Sequence, residues 1–520
     1  MPTVRDATMD LLRQLGMTTI FGNPGSTELP MFRDFPDDFR YILGLQESVV
    51  MGMADGYAQG TRRPALVNLH SSAGTGHALG NLFTAFRNQT PLVVTAGQQA
   101  RSIMPLEPFL YAERATDFPR PFVKWAVEPA RAQDVPAAIA RAALVAMQPP
   151  CGPTFVSVPI DDWEHECEPV RLPVAGAANP GDPALLAQAG TLLGKARRPA
   201  LVLGAGVARD GAWDAAIKLA ERHRAAVWAA PFNARCSFPE DHPLFAGFLD
   251  PRREAIVAAL ADHDLILAIG GPLSLYHVEG AGPHLPPGAT TIFIADNPAQ
   301  ASWAPCDLSI VAHSGHAIAA LLEGPAPAVR SVPSARPAPA APAPAGAAIT
   351  DRWLMARIAA LRPAGSIIVE EAPTARGPMH DHLPITTPDG FYTCASGGLG
   401  HGMPAAVGMA LARPGEKVIC LLGDGSAMYA VQGLWSAWKL GTPVSFIIFN
   451  NQRYDALRGF GRLFGMQTVE GTDLTGLDFV QIAQGQGVAA QRVSAAGDLD
   501  AALAWSFAAT GPTLVEVRIE

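Results

Sequence analysis

The chain has 520 residues, 49% of them apolar and 16% charged, with a net charge of -9; that length exceeds one ordinary core, so two to four domains are expected, with three as the working number. The negative balance and the lack of a Lys/Arg-rich run argue against nucleic acid as a partner, and no apolar stretch reaches the length that spans a bilayer. MPTVRDATMD carries no secretory signal, so a cytoplasmic enzyme is expected, and the cysteines at 151, 167, 236, 306, 394 and 420, without a CxxC pair, read as reduced core or loop residues.

In chain order, TTIFG, ALVNLH, PLVVTAG and TFVSVP read as short buried strands alternating with helical stretches, the pattern of an α/β domain. The periodicity lapses over residues 166–183, ECEPVRLPVAGAANPGDP, and ALVLGAG, AAVWAAP, LILAIGG and TTIFIAD then repeat the alternation. Over 324–348 proline and alanine displace every other signal, as in a semi-extended linker. SIIVEE, KVICLLGDG, PVSFIIFNN and TLVEVRI follow. The expectation is an α/β protein of three doubly wound, mainly parallel-sheet domains in series, over 1–170, 180–324 and 349–520, with 325–348 as the linker. GTGHALG at 74–80 and GAGVAR at 204–209 follow strand-like runs but lack the G-x-G-x-x-G spacing, so they read as loops. No Walker A lysine motif is present.

The most informative stretch is LLGDGSAMYAVQGLWSAWKLGTPVSFIIFNN, residues 421–451. Two apolar runs flank MYAVQGLWSAWKLG, which is apolar at helical spacing and stops at Gly441. Strand, helix and strand in this order predict a βαβ unit, whose crossover sets both strands parallel. Asp424 and Asn451 then share one sheet edge, beyond the carboxyl ends of the strands, where α/β sheets bind ligands. A carboxylate with an amide oxygen suits a hard cation such as Mg²⁺. Gly423 and Gly425 leave room for a phosphate to approach the backbone.

GDG and NN, with 24 residues between them, resemble the diphosphate and magnesium signature of thiamine diphosphate enzymes. FGNPGSTELP and LQESVVMGMADGYAQGTRRPALVNLHSSAGTG resemble the pyrimidine-binding domain of that superfamily, and CASGGLGHGMPAAVGMALA resembles its diphosphate-binding domain. Within it, FGNPGS, FRYILGLQE, NLHSSAGTG, LYH and YDALRGF are most similar to the benzoylformate decarboxylase branch.

Read without that resemblance, Glu47 is an acidic first-turn residue, His70 and His277 are strand-end histidines that satisfy local groups, and Ser26 suits a helix N-cap. The resemblance implies more. Glu47 would hydrogen-bond the aminopyrimidine ring and promote its imino form, Ser26 would hold the substrate carboxylate, and His70 and His277 would move protons. Asp424 and Asn451 would bind Mg²⁺ through side chains and Arg453 through its carbonyl, with Ca²⁺ able to substitute. Leu399 would wedge the cofactor into a bent form and the Gly397 carbonyl would accept from its amino group. Pro24, Gly25, Thr374, Gly423, Gly425, Ser426 and Tyr454 fall where further cofactor contacts are implied. Ala456, Leu457 and Phe460 fall in the implied substrate pocket, with Ser26 and His70. Three positions depart from the pattern: Asp455 replaces a glycine, Pro373 a hydroxyl residue, and Thr393 an aromatic one.

The implied reaction is non-oxidative decarboxylation of an aryl 2-oxo acid, benzoylformate to benzaldehyde and CO₂, through a thiamine diphosphate ylide and enamine. A small-molecule substrate, no nucleic acid, no membrane, and a homodimer or homotetramer complete the expectation. The competing readings are a carboligase or lyase using the same cofactor, a decarboxylase of another 2-oxo acid, an FAD-containing relative, and a non-catalytic homologue.

Overall fold

Strands form where the sequence concentrates its short apolar runs, and every strand pair described below is parallel, as βαβ crossovers require. The computed structural model describes residues 1–344, 346 and 348–520; Ala345 and Ala347 of the expected linker lie outside the described residues. The first sheet contains β1 (Thr19–Gly22), β2 (Arg40–Leu43), β3 (Ala65–Leu69), β4 (Leu92–Gln98), β5 (Ala126–Val127) and β6 (Thr154–Pro159), in the order β2-β1-β3-β4-β6-β5. The second contains β7 (Pro199–Leu203), β8 (Ala226–Ala229), β9 (Phe245–Phe248), β10 (Leu265–Ile269), β11 (Thr290–Ala295) and β12 (Leu308–Val311), in the order β12-β11-β10-β7-β8-β9. The third is also six-stranded, with β13 (Ile367–Glu371), β14 (Phe391–Thr393), β15 (Val418–Gly423), β16 (Val444–Asn450), β17 (Ala489–Val493) and β18 (Thr513–Arg518). Its longer strands run β13-β15-β16-β18-β17. The architecture is thus three α/β sheets in series.

By packing, the chain divides into two compact units. Met1–Gly176, Ala343–Pro378 and Ser396–Glu520 form one; Ala177–Pro342 and Met379–Ala395 form the other. In the first unit the Glu47–Thr61 helix lies directly on the Gly402–Ala412 helix. Small residues permit the approach: a Cβ at Gly408 would stand 1.9 Å from the Met53 carbonyl oxygen.

In the second unit the strand order is that of dinucleotide-binding folds, with the switch point between β7 and β10. There the two glycine runs bind each other. Gly204 N donates to Ile269 O at 2.8 Å and Gly206 N to Gly270 O at 2.7 Å. GAGVAR is not a bare loop, since Ala205–Arg209 is one short helix. Nor is GTGHALG, which lies inside the Ser71–Asn88 helix because a packed helical environment overrides the weak propensity of its glycines. The stretch after residue 324 is tied down at Arg330, whose guanidinium is buried and donates to the carbonyls of His223, Leu193 and Gly194.

None of the six cysteines is in a disulfide. Among the described residues no helix is long and apolar enough to cross a membrane.

Candidate active site

At the carboxyl edge of the third sheet, β15 and β16 pair with Gly423 opposite Phe449. The residues that follow, Asp424 and Asn451, therefore emerge on the same edge, as the βαβ reading predicts. Both side chains converge on one backbone amide: Arg453 N donates to Asp424 Oδ2 and to Asn451 Oδ1, each at 3.2 Å. Burial pushes the Asp424 carboxyl above its usual range, against the pull of backbone N–H groups from Gly425, Gln452, Arg453 and Asn451. A buried carboxylate beside an amide oxygen, short of a counter-charge, fits a hard cation. Gly425 lies so close beneath the Tyr454 ring that a Cβ there would meet Cε1 at 2.1 Å, leaving bare backbone at the start of the Asp424–Met428 helix. Ser426 is buried in that helix. The connecting segment is two helices, not one: after Met428 the chain breaks and resumes at Gly433–Leu440, ending on left-handed Gly441.

Facing this edge within the third sheet's fold is the loop of Gly397 and Leu399. Glu371, the last residue of β13, anchors it. Its carboxylate accepts from Gly400 N at 2.6 Å, His401 N at 2.8 Å, and Gly402 N. Burial pushes the Glu371 carboxyl up to about 7 despite these donors. Asn81 joins the loop to the first sheet's helices, its amide donating to Ser48 O at 2.8 Å and Gly400 O at 3.0 Å.

Glu47 opens the Glu47–Thr61 helix, and its carboxylate accepts from Asn23 Nδ2 at 3.4 Å and lies 3.1 Å from His77 Nδ1. Ser26 is exposed in the turn after β1. It does not cap a helix, because the next element, Leu29–Phe32, begins three residues later with Pro30 in its first turn. His70 follows β3 as the N-cap residue of the Ser71–Asn88 helix, and its ring lies against Gly25, where a Cβ would stand 2.1 Å from Nδ1. The structure thus brings Pro24, Gly25, Ser26 and His70 together. Its imidazole Nδ1 lies 2.8 Å from Glu28 Oε2.

Ala456, Leu457 and Phe460 lie on the Asp455–Leu463 helix, with Leu457 exposed and the Phe460 ring stacked near Phe464 at 6.4 Å. Asp455 begins that helix and accepts from Arg453 Nε at 3.0 Å. Pro373 and Thr374 are exposed after β13. His277 and Thr393 belong to the second unit. There the His277 ring meets Phe232 edge-on at 5.4 Å, and Thr393 N donates to Ala234 O at 3.0 Å.

Sequence reasoning passed over Glu28 and His77, which contact Gly25, His70 and Glu47, and over Asn81, Glu371 and His401, which are joined at the backbone that follows Leu399. Glu28 stands inside the quoted NPGSTELP and His401 inside GGLGHG, so the motifs contained them; their partners lie far along the chain and no spacing announces them.

A sheet edge of this kind suits a cofactor-binding α/β enzyme, and family models identify which. Residues 2–112, 186–321 and 374–517 match the N-terminal, central and C-terminal domains of thiamine pyrophosphate enzymes, and the chain belongs to that family. It is 43% identical to a benzoylformate decarboxylase of Pseudomonas aeruginosa over 522 residues, which is 99% of each chain. Two solved structures are similar over 100% of this chain and 99% of theirs. One is the thiamine diphosphate-dependent 4-hydroxybenzoylformate decarboxylase of Rhodococcus jostii RHA1 (TM-score 0.96, 41% identity). The other is the benzoylformate decarboxylase of Polynucleobacter necessarius (TM-score 0.98, 38% identity).

Proposed function

We propose that this chain is a carboxy-lyase that decarboxylates an aryl 2-oxo acid without oxidation, benzoylformate to benzaldehyde and CO₂, with thiamine diphosphate and Mg²⁺. The observation that carries the reading is the apposition of His70 to the Gly25–Ser26 turn, within a chain similar throughout its length to benzoylformate decarboxylases. Thiamine diphosphate, when bound, supplies a thiazolium ring that takes up the electron pair released as CO₂ leaves.

The chain's own residues orient the reactants and move protons. Ser26 hydrogen-bonds the substrate carboxylate, His70 transfers a proton at the keto oxygen, and His277 supplies one at the carbon that has lost CO₂. Glu47 holds a proton at the aminopyrimidine. Asp424, Asn451 and the Arg453 carbonyl would hold Mg²⁺, and Gly423, Gly425, Ser426 and Thr374 would receive the diphosphate. Gly397, Leu399, Tyr454, Pro24 and Gly25 would hold the rest of the cofactor. Ala456, Leu457 and Phe460 line an apolar wall that disfavours the charged carboxylate relative to neutral CO₂. The protein is cytoplasmic and works as a homodimer or homotetramer, in which one subunit's Glu47 serves its neighbour's Asp424 edge.

The test is CO₂ and aldehyde release from benzoylformate, pyruvate, indolepyruvate and branched-chain 2-oxo acids, with and without both cofactors. Benzaldehyde release that requires the cofactors and exceeds the other activities is expected. Preference for another acid would refute the aryl assignment, and no release would refute the decarboxylase. Repeated over a dilution series, the same assay should lose specific activity as subunits separate; a constant value down to a demonstrated monomer would refute the shared site.

A further inference from the structure

Behind the Ser26 turn lies a carboxylate to which the proposed reaction assigns no role. The Glu28 side chain is 1% exposed, and every acceptor position it has is engaged. Oε2 accepts from Gly25 N at 2.9 Å and lies 2.8 Å from His70 Nδ1. Oε1 accepts from Gly97 N at 2.8 Å and from Thr27 Oγ1 at 2.6 Å. Two carboxylate oxygens offer about four lone-pair sites, so this is a filled set. A buried charge with that many donors is held in one rotamer, because breaking any of these hydrogen bonds would leave a desolvated group unpaired.

We propose that Glu28 is the positioning residue of His70, fixing its tautomer and locking the imidazole to the turn that carries Ser26. An ionised carboxylate only accepts, so His70 Nδ1 carries the hydrogen that meets Oε2. The Thr27 hydroxyl spends its hydrogen on Glu28 Oε1, so its oxygen, 3.2 Å from Nδ1, is a second acceptor for the same N–H. Neutral His70 is therefore the Nδ1–H tautomer, and Nε2 is left as the nitrogen that receives a proton from a reacting group or, once charged, returns it. Because the same Oε2 holds Gly25 N, the turn and the imidazole share one anchor and keep their mutual distance. Tyr41 borders this arrangement; burial and the Glu28 charge push its phenol pKa up, so it stays protonated and adds no competing charge.

The kinetic arm of the test rests on the decarboxylase reading, whereas the spectroscopic arm does not. In ¹⁵N-histidine-labelled holoenzyme, the His70 signal, assigned by its loss in His70→Asn, is expected to show the Nδ1–H tautomer. An Nε2–H tautomer in the unsubstituted protein would overturn the proposal without any Glu28 variant. Glu28→Gln, which keeps the shape and removes the charge, should lower kcat by roughly 10- to 100-fold. It should also give a mixed His70 tautomer. Glu28→Asp, which returns the carboxylate, should restore the Nδ1–H tautomer and part of kcat. Thiamine diphosphate affinity, read by tryptophan fluorescence, should stay within about twofold in both variants. A Glu28→Gln enzyme with an unchanged His70 tautomer would reduce Glu28 to a turn anchor. If the unsubstituted enzyme releases no CO₂, the decarboxylase reading fails while the tautomer measurement still decides the role of Glu28.

Discussion

Asp55 and His401 show what a buried charge requires of its neighbours. Both side chains are essentially fully buried, and they meet in a short hydrogen bond across 346 positions of sequence. Asp55 also accepts from Gln59 Nε2 at 2.7 Å and Asn88 Nδ2 at 3.0 Å. Burial alone would raise the Asp55 pKa and lower that of His401, but their mutual attraction reverses both, so the carboxyl is held down and the imidazole up. The fold thus favours the ionised form of each partner. Removing one partner strands the other, which typically costs about 3–5 kcal/mol. His401→Ala is expected to lower the urea midpoint by that equivalent, and Asp55→Asn, which keeps an acceptor for Gln59 or Asn88, by less; equal small effects would mean that water or a rearranged partner compensates. This scale was the least legible in the sequence. Glu47, Asp424 and Asn451 are readable because their motifs are local, whereas Asp55, Glu28 and Glu371 acquire meaning only from groups that folding brings to them.

At the scale of elements, the sequence carried more, because period and punctuation are local properties. The runs TTIFG, ALVNLH, KVICLLG and PVSFIIFN are β1, β3, β15 and β16 within a residue or two, and Gly441 ends its helix. What escaped were edge strands such as β5, two residues long, and the five-residue helix Ala205–Arg209, too short to show periodicity. The contact between the Glu47–Thr61 and Gly402–Ala412 helices was also hidden, since glycine in a helix reads as weak propensity. Replacing a helical glycine by alanine ordinarily gains about 1 kcal/mol. At Gly408 the new Cβ would stand 1.9 Å from a carbonyl oxygen that is backbone and cannot swing away. Overpacking of that kind costs about 1–3 kcal/mol or more and outweighs the propensity gain. At Gly80, inside the Ser71–Asn88 helix, nothing lies within 4 Å of the same atom. Gly408→Ala should therefore lower the melting temperature and weaken thiamine diphosphate binding, while Gly80→Ala should raise the melting temperature slightly. A stabilised Gly408→Ala would show that the two helices can separate freely.

For the whole molecule, the two units respond to acid in opposite senses. In the second unit both ring nitrogens of His223 are buried with no hydrogen-bond partner among the described residues, and burial, with Arg330 and Arg222 nearby, pushes the imidazole down to about 4. An unfolded histidine titrates near 6.5, so between these values the unfolded unit binds more protons and its stability rises with pH. His263, also lowered by burial, acts with the same sign. In the first unit Glu371 is raised to about 7 from an ordinary 4.5. There the folded state holds the extra proton, so its contribution is complete below 4.5 and is lost as pH rises through 7. Asp424, raised by burial, adds to that slope in cofactor-free protein. Each of the two large shifts corresponds to about 3 kcal/mol across its window. The depressed carboxylates, such as Asp478 at about 2, titrate below this window and leave the signs unchanged. Hydrogen exchange of the cofactor-free protein from pH 4.5 to 6.5, corrected for intrinsic rates, should show β7 and β10 gaining protection while β13 and β15 lose it. His223→Leu should flatten the first trend alone and Glu371→Gln the second alone. Parallel trends in both units, untouched by either substitution, would mean that the units open together and that neither group governs the response.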